Sequence, residues 1–290
     1  MKNILAALLM AFFAGDAFGL EIEMPTAARQ GGIFKIVIKD PQGAVGSYKV
    51  NFLKKDFTAF LQDATTHIAV IPVDVWTLPG KHSIGIYHYY GDSELHRGSI
   101  EIKKFKFPEQ KTIINQLAPS VKENSRRALE RKKLDSIYTQ DSFLRYFDDG
   151  VTFKMPVADH ISAPSPFGIV RWYKYPKQKP VKTHHYGIDY PAIIGTAVLA
   201  AESGEVRFVE DLLYEGKTII LDHGYGLFSI YAHLSKVLVK EGDVVTKGSN
   251  IALSGNTGRV RGKHGGANLH FGINIKGVWV DPKLFLGGGK

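Results

Sequence analysis

Along residues 20–106 apolar and polar positions alternate with the period of two that a half-buried strand requires. The runs 33–38, 48–53, 67–72, 82–87 and 98–105 carry this pattern, and Asp40-Pro41-Gln42-Gly43, Leu78-Pro79-Gly80 and Tyr90-Gly91-Asp92 supply turn residues between them. Short strands at this spacing predict an antiparallel β-sandwich of immunoglobulin-like type. From Pro108 the pattern changes. Residues 121–138 contain no Gly or Pro, are rich in Lys, Arg, Glu and Leu, and follow Pro119-Ser120, a helix start signal. A helical connector is therefore predicted within 107–150. Beyond Met155-Pro156 short β runs return, among them 197–201, 204–209, 218–221, 227–231 and 250–253, with glycines between them. No long periodic helix interrupts them, which predicts a second, mainly β domain over 151–286 and a flexible glycine-rich tail over 287–290.

The N-terminus carries a different signal. Lys2 precedes the apolar run 4–13, and Ala17-Phe18-Gly19 forms a small-x-small site, so residues 1–19 are expected to be a secretory signal peptide cut after Gly19. The run is too short for a membrane span, which takes ~20 apolar residues, and Asp16 interrupts it. The expected address is export, with the periplasm preferred over the extracellular space and no membrane span left after cleavage.

Composition narrows the chemistry. The 290 residues are 44% hydrophobic and 22% charged, which predicts folded domains with real cores. There is no cysteine, so disulfides, thiolate metal sites and thiol nucleophiles are excluded, and any metal must be held by His, Asp or Glu. The net charge of +9 is compatible with an anionic partner. Export makes a wall polymer the expected one and leaves nucleic acid out. Arg126, Arg127, Arg131, Lys132 and Lys133 on the predicted helix read either as a contact for such a polymer or as a solvated face.

His185-Tyr186-Gly187-Ile188-Asp189 places an imidazole and a carboxylate four residues apart at the edge of a predicted strand, where the period of two sends both to one face. Such a pair suits a borderline cation such as Zn²⁺ but occurs by chance in many chains. It is followed by Gly195-Thr196-Ala197-Val198, Asp222-His223-Gly224, Tyr231-Ala232-His233-Leu234, Gly242-Asp243, Gly255-Asn256-Thr257-Gly258-Arg259 and finally Leu269-His270-Phe271. In this order, over about residues 153–286, the series resembles the LytM/lysostaphin family of zinc metallopeptidases, which cut the peptide part of peptidoglycan.

The resemblance implies that His185, Asp189 and His270 ligate zinc, that water takes the remaining position, and that His233 is a separate catalytic histidine. Zinc would lower the pKa of water from 15.7 to roughly 7 and polarise the scissile carbonyl. His184, one residue off the ligand, is expected to face away, and His223 to be a hydrogen-bonding turn residue. The family's His-x-His element is here Asn268-Leu269-His270, so asparagine stands where a second catalytic histidine is usual. The preceding segment 261–267 is longer than the family's link and contains His264. Three expectations follow: an endopeptidase in which Asn268 acts as a neutral hydrogen-bond donor, one in which His264 fills the vacated role, or a non-catalytic subunit that binds the wall or assembles with another hydrolase or a homologous subunit.

Overall fold

The computed structural model describes residues 10–14, 19–41, 47–110, 114–115, 120–140, 142–148, 150–157, 159–259 and 266–287. Two compact units divide the chain, Met1–Phe105 and Lys106–Lys290.

The first unit consists of two five-stranded sheets. One runs in the order Met10–Ala14, Glu21–Pro25, Ile33–Lys39, Thr66–Pro72, Phe60–Leu61, and the other in the order Ala27–Arg29, Glu94–Lys103, Gly80–His88, Tyr48–Phe52, Lys55–Thr58. Alternation builds the core. Ile22, Ile36 and Ile38 of one sheet and Val50, Ile84 and Ile86 of the other are all fully buried, and Phe34 meets Phe52 across the layers edge to face at 5.4 Å. Every strand expected from the pattern is present, with ends moved by a few residues. The edge strand Ala27–Arg29 departs from the antiparallel expectation, because it pairs with Glu94–Lys103 in parallel. Of the expected signal peptide, Met10–Ala14 pairs antiparallel with Glu21–Pro25, and residues 1–9 and 15–18 lie outside the described residues.

The second unit is organised by one sheet. Its strands are β1 (Ile188–Pro191), β2 (Gly204–Leu212), β3 (Gly216–Asp222), β4 (Leu227–Leu234), β5 (Val244–Val245), β6 (Asn268–Ile275) and β7 (Val278–Val280). The order across the sheet is β1-β6-β4-β3-β2-β5, with β7 also paired to β6. All of these pairings are antiparallel. Leu269, Phe271 and Ile273 point to one face, where Phe271 packs against Tyr231 at 5.3 Å. On this side the Tyr231 hydroxyl accepts the Ala201 N–H at 2.8 Å. A small sheet of Ala197–Leu199, Asn250–Leu253 and Lys236–Val237 and a hairpin of Val170–Lys174 and Val181–His184, joined by Ile114–Asn115, complete the unit.

Asn268, His270 and Gly272 alternate to the opposite face. Gly272 lies under Ile230 and Trp279, where an added Cβ would come within 2.8 Å of each. The same face receives the helix α1 (Val121–Tyr138), which packs Leu134, Ile137 and Tyr138 against Phe208, Leu212, Ile220, Phe228 and Ile230. The expected connector is thus an integral layer of the second unit. Its start is set by a capping box, in which Ser120 Oγ accepts the Glu123 N–H at 3.1 Å and Glu123 Oε2 accepts the Ser120 N–H at 2.7 Å. Its basic residues are largely engaged by neighbours within the unit: Arg126 bonds Glu130 and the Asp211 carbonyl, both at 2.7 Å, Arg127 stacks 4.3 Å over Tyr214, and Lys133 pairs with Glu210.

The apolar seam under α1 is what anchors the helix. Ile137→Ala is expected to lower the unfolding free energy of this unit by about 2–4 kcal/mol through lost burial and a residual cavity, measurable as a shift in the urea midpoint at unchanged m-value.

Candidate metal centre

Two sheets meet at the residues singled out above. His185 follows the strand Val181–His184, the chain bends at Gly187, and Asp189 stands on β1. The pair was expected on one continuous strand. It instead spans a bend between strands of different sheets, because Gly187 lets the chain turn beneath the ring of His270. A Cβ at position 187 would lie 2.6 Å from His270 Cε1 and from the Phe271 carbonyl oxygen. His270 comes from β6, where the antiparallel register sets it directly opposite Asp189.

The three side chains converge. Asp189 Oδ1 lies 2.9 Å from His185 Nε2 and 2.7 Å from His270 Nδ1, and the two nitrogens are 3.2 Å apart. His185 Nδ1 faces the Pro166 carbonyl at 3.0 Å, an acceptor only, so the ring's hydrogen in its neutral form is spent there and Nε2 turns a lone pair toward the cluster. A carboxylate oxygen and two imidazole nitrogens packed in this way can be joined by shared ring hydrogens or by a cation between them. Tetrahedral zinc with bonds of ~2.0–2.1 Å separates its ligand atoms by about 3.3 Å, close to the triangle found here. The donor set of nitrogen and oxygen fits Zn²⁺, and these residues form a cluster able to hold a metal ion, their ligand atoms all within 4.8 Å of one another.

Electrostatics agree with that arrangement. Burial opposes ionisation of Asp189, but the charges and hydrogen bonds of His185 and His270 hold its carboxyl well below the usual range. Burial lowers the pKa of His185, with Asp189 acting against it. The second carboxylate oxygen of Asp189 accepts from Arg171 Nη2 at 3.1 Å, and the same nitrogen donates to Ser165 Oγ at 3.1 Å. The sequence reading passed over Arg171; its only signal was a place in a hairpin rich in basic residues.

His233 ends β4 on the same side of the site, its ring centroid 6.0 Å from that of His270. Its backbone is in the left-handed region at φ +63°, held by an N–H donated to the Glu215 carbonyl at 2.8 Å. Nδ1 donates to the Thr257 carbonyl at 2.9 Å, which leaves Nε2 as the proton acceptor. Burial, reinforced by the charge of His270 and opposed by the bond to Thr257, pushes His233 down to about 4, so the ring is neutral at pH 7. Glu215, also missed in the sequence, carries a carboxyl raised by burial within the turn that holds His233.

Asn268 shares the face of His270, but its Nδ2 is directed to the Gly266 carbonyl at 2.6 Å, and its Oδ1 is buried without a partner among the described residues. His264 lies outside the described residues. His184 turns away from the cluster, with Nδ1 on the Gly168 carbonyl at 2.8 Å and its ring against Phe107. His223 is a fully buried turn residue whose Nδ1 donates to the Ser203 carbonyl at 2.6 Å and whose Nε2 lies 2.8 Å from Ser229 Oγ.

Two outcomes test this geometry. Gly187→Ala is expected to displace the His270 ring and weaken zinc retention about tenfold or more, read by competition with a chromogenic chelator. Burial pushes His223 down to about 4 against an ordinary 6.5, the Ser203 bond opposing. The unfolded chain then binds more protons between these values, so stability is complete above pH 6.5 and is lost as pH falls toward 4. For His223 the loss is of the order of 3 kcal/mol. Urea unfolding of the metal-free protein at several pH values should show the decline, and His223→Gln should make it shallower.

Comparison with known proteins follows the same residues. The sequence profile of peptidase family M23 matches residues 183–282. Peptidoglycan DD-endopeptidase ShyA of Vibrio cholerae is 40% identical over 103 residues, 36% of this chain and 23% of that protein. A lipoprotein NlpD/LppB homolog of Pseudomonas aeruginosa is 39% identical over 101 residues, 34% of this chain and 32% of that one. The chain thus spans less than a third of either relative's length. A crystal structure of a protein from Pseudomonas aeruginosa assigned to peptidase M23 aligns with a TM-score of 0.67 at 25% identity, covering 89% of this chain and 94% of that one. The match to peptidase family M23 thus falls on the segment that brings His185, Asp189 and His270 together.

Proposed function

We propose that the protein is an exported zinc metalloendopeptidase that hydrolyses peptide bonds in the stems or cross-links of peptidoglycan. The observation that carries this reading is the convergence of Asp189 Oδ1, His185 Nε2 and His270 Nδ1, with the neutral His233 on the same side. The name of the Vibrio cholerae relative supports peptidoglycan as the substrate. The pattern of residues 1–19 supports export to the periplasm, and among the described residues no helix is long and apolar enough to cross a membrane.

His185, Asp189 and His270 would hold the metal. When bound, zinc supplies Lewis acidity toward a carbonyl and acidifies water. The remaining work falls to the chain. Arg171 and the Pro166 carbonyl fix the orientations of Asp189 and His185, so ligand geometry is set before any metal enters. His233 Nε2 is the group that takes a proton from the attacking water and returns it to the leaving amine nitrogen. A neutral ring has the free lone pair that the first half of that cycle needs, and its low proton affinity favours the second.

A second reading is supported by Asn268. A carboxamide cannot exchange protons as an imidazole does, and its Nδ2 is already engaged by Gly266. The protein would then be a wall-binding or regulatory subunit that works with another hydrolase. One experiment separates the two. Mature protein loaded with zinc is incubated with intact peptidoglycan, with and without a chelator, and released fragments are identified by mass spectrometry. Chelator-sensitive cleavage that drops by about 10²–10⁴ in His233→Ala is expected. Stoichiometric zinc without cleavage, together with cleavage gained in Asn268→His, would establish the regulatory reading instead.

A further inference from the structure

Residues 170–184 contain Arg171, Lys174, Lys177, Lys179 and Lys182 and no Asp or Glu. The structure folds this stretch into the hairpin Val170–Lys174 and Val181–His184, whose second strand leads directly into His185. One face of the hairpin is covered. The Phe107 ring lies 4.9 Å from His184, and Trp172 Nε1 donates to Glu109 Oε1 at 2.5 Å. The other face carries Arg171 opposite Thr183 and Tyr173 opposite Val181. It opens toward the metal cluster, because Arg171 reaches Asp189 Oδ2. Val181 on this face is 51% exposed.

The charges differ from most of those on α1. There, Arg126 and Lys133 are met by acids of the same unit. On the hairpin, Lys174, Lys177 and Lys179 are exposed and have no carboxylate partner among the described residues. Arg171 places only Nη2 on protein acceptors, so its Nε and Nη1 hydrogens have none among the described residues. A positive field with unspent donors therefore begins at a metal ligand and extends along one ribbon. Beyond the bonds of Arg171 Nη2 to Asp189 and Ser165, a cluster of like charges costs self-repulsion. It gains its value from an anion.

Resting on the peptidase reading above, we propose that the hairpin 170–184 is the subsite for a free carboxylate of the substrate peptide. Arg171 anchors that carboxylate next to the scissile bond, and Lys174, Lys177 and Lys179 guide it in. Guanidinium suits a carboxylate through charge-assisted hydrogen bonds, while the lysines act as mobile point charges whose effect is screened by salt. The selected ligand is an acidic peptide segment rather than a neutral one.

The test uses two labelled stem-type peptides of the same sequence, one with free carboxylates and one fully amidated. Fluorescence anisotropy with the full chain, zinc-free and zinc-loaded, reads binding whether or not cleavage occurs. The free-carboxylate peptide is expected to bind about tenfold tighter at low ionic strength, with the preference shrinking at ~0.5 M salt. The Lys174→Gln/Lys177→Gln/Lys179→Gln variant should lose most of the preference with an unchanged melting temperature, whereas Lys122→Gln/Lys132→Gln on α1 should retain it. Equal affinity for both peptides, or an equal loss in the α1 variant, would overturn the inference. Preference without hydrolysis would sink the peptidase reading and leave the subsite standing; hydrolysis without preference would do the reverse.

Discussion

The contact on which the second unit depends is the approach of the Asp189 carboxylate to two imidazole nitrogens. Asp189 and His270 are opposite partners in the β1–β6 ladder, so backbone hydrogen bonding alone sets their separation. His185 arrives from another sheet and is brought in by the bend at Gly187. Three such atoms in so small a volume need a shared hydrogen or a cation between them, and the protein maintains the arrangement by engaging the far side of each group. Arg171 holds Asp189, the Pro166 carbonyl holds His185, and the ring of His270 rests on a glycine that leaves it room.

The surrounding architecture can be read as support for that contact. One sheet face is sealed by fully buried Leu269, Phe271 and Ile273, which makes β6 rigid along its length. The other face is divided between chemistry and packing. His270 and Asn268 stand at one end, while Gly272 and Ile230 lie beneath Trp279 and α1 at the other. The helix thus lies on the same sheet face as His270. His233 adds a strained left-handed residue at the end of β4, stabilised by bonds to the Glu215 and Thr257 carbonyls. Strain at that position is affordable only because neighbouring turns over-determine it.

Most strands were legible either from strict alternation where one face is buried, as in Ile33–Lys39, or from a short apolar run where both are, as in Leu227–Leu234. Ala27–Arg29 was not, since a three-residue edge strand of half-buried residues leaves no period to detect. The hairpin 170–184 was missed for a related reason: its residues are mostly exposed and basic, and its pairing is decided by Phe107 and Glu109 beneath it. The helix was read correctly in extent but not in role, because its apolar residues Leu134, Ile137 and Tyr138 cluster at its C-terminal end amid a strongly charged sequence.

By itself the sequence determined the chemistry available to this protein. Without cysteine a metal could be held only by His, Asp or Glu, and the ordered motifs from His185 to His270 singled out which ones. What it could not determine were the contacts made by residues distant along the chain. Only the tertiary structure decided that Arg171 restrains Asp189, that the carboxamide of Asn268 is spent on Gly266, and that the basic groups of α1 are largely satisfied while Lys174, Lys177 and Lys179 of the hairpin are not. The reason is physical: residue type and spacing specify what a side chain can donate or accept, but strand register and packing choose the partner that receives it.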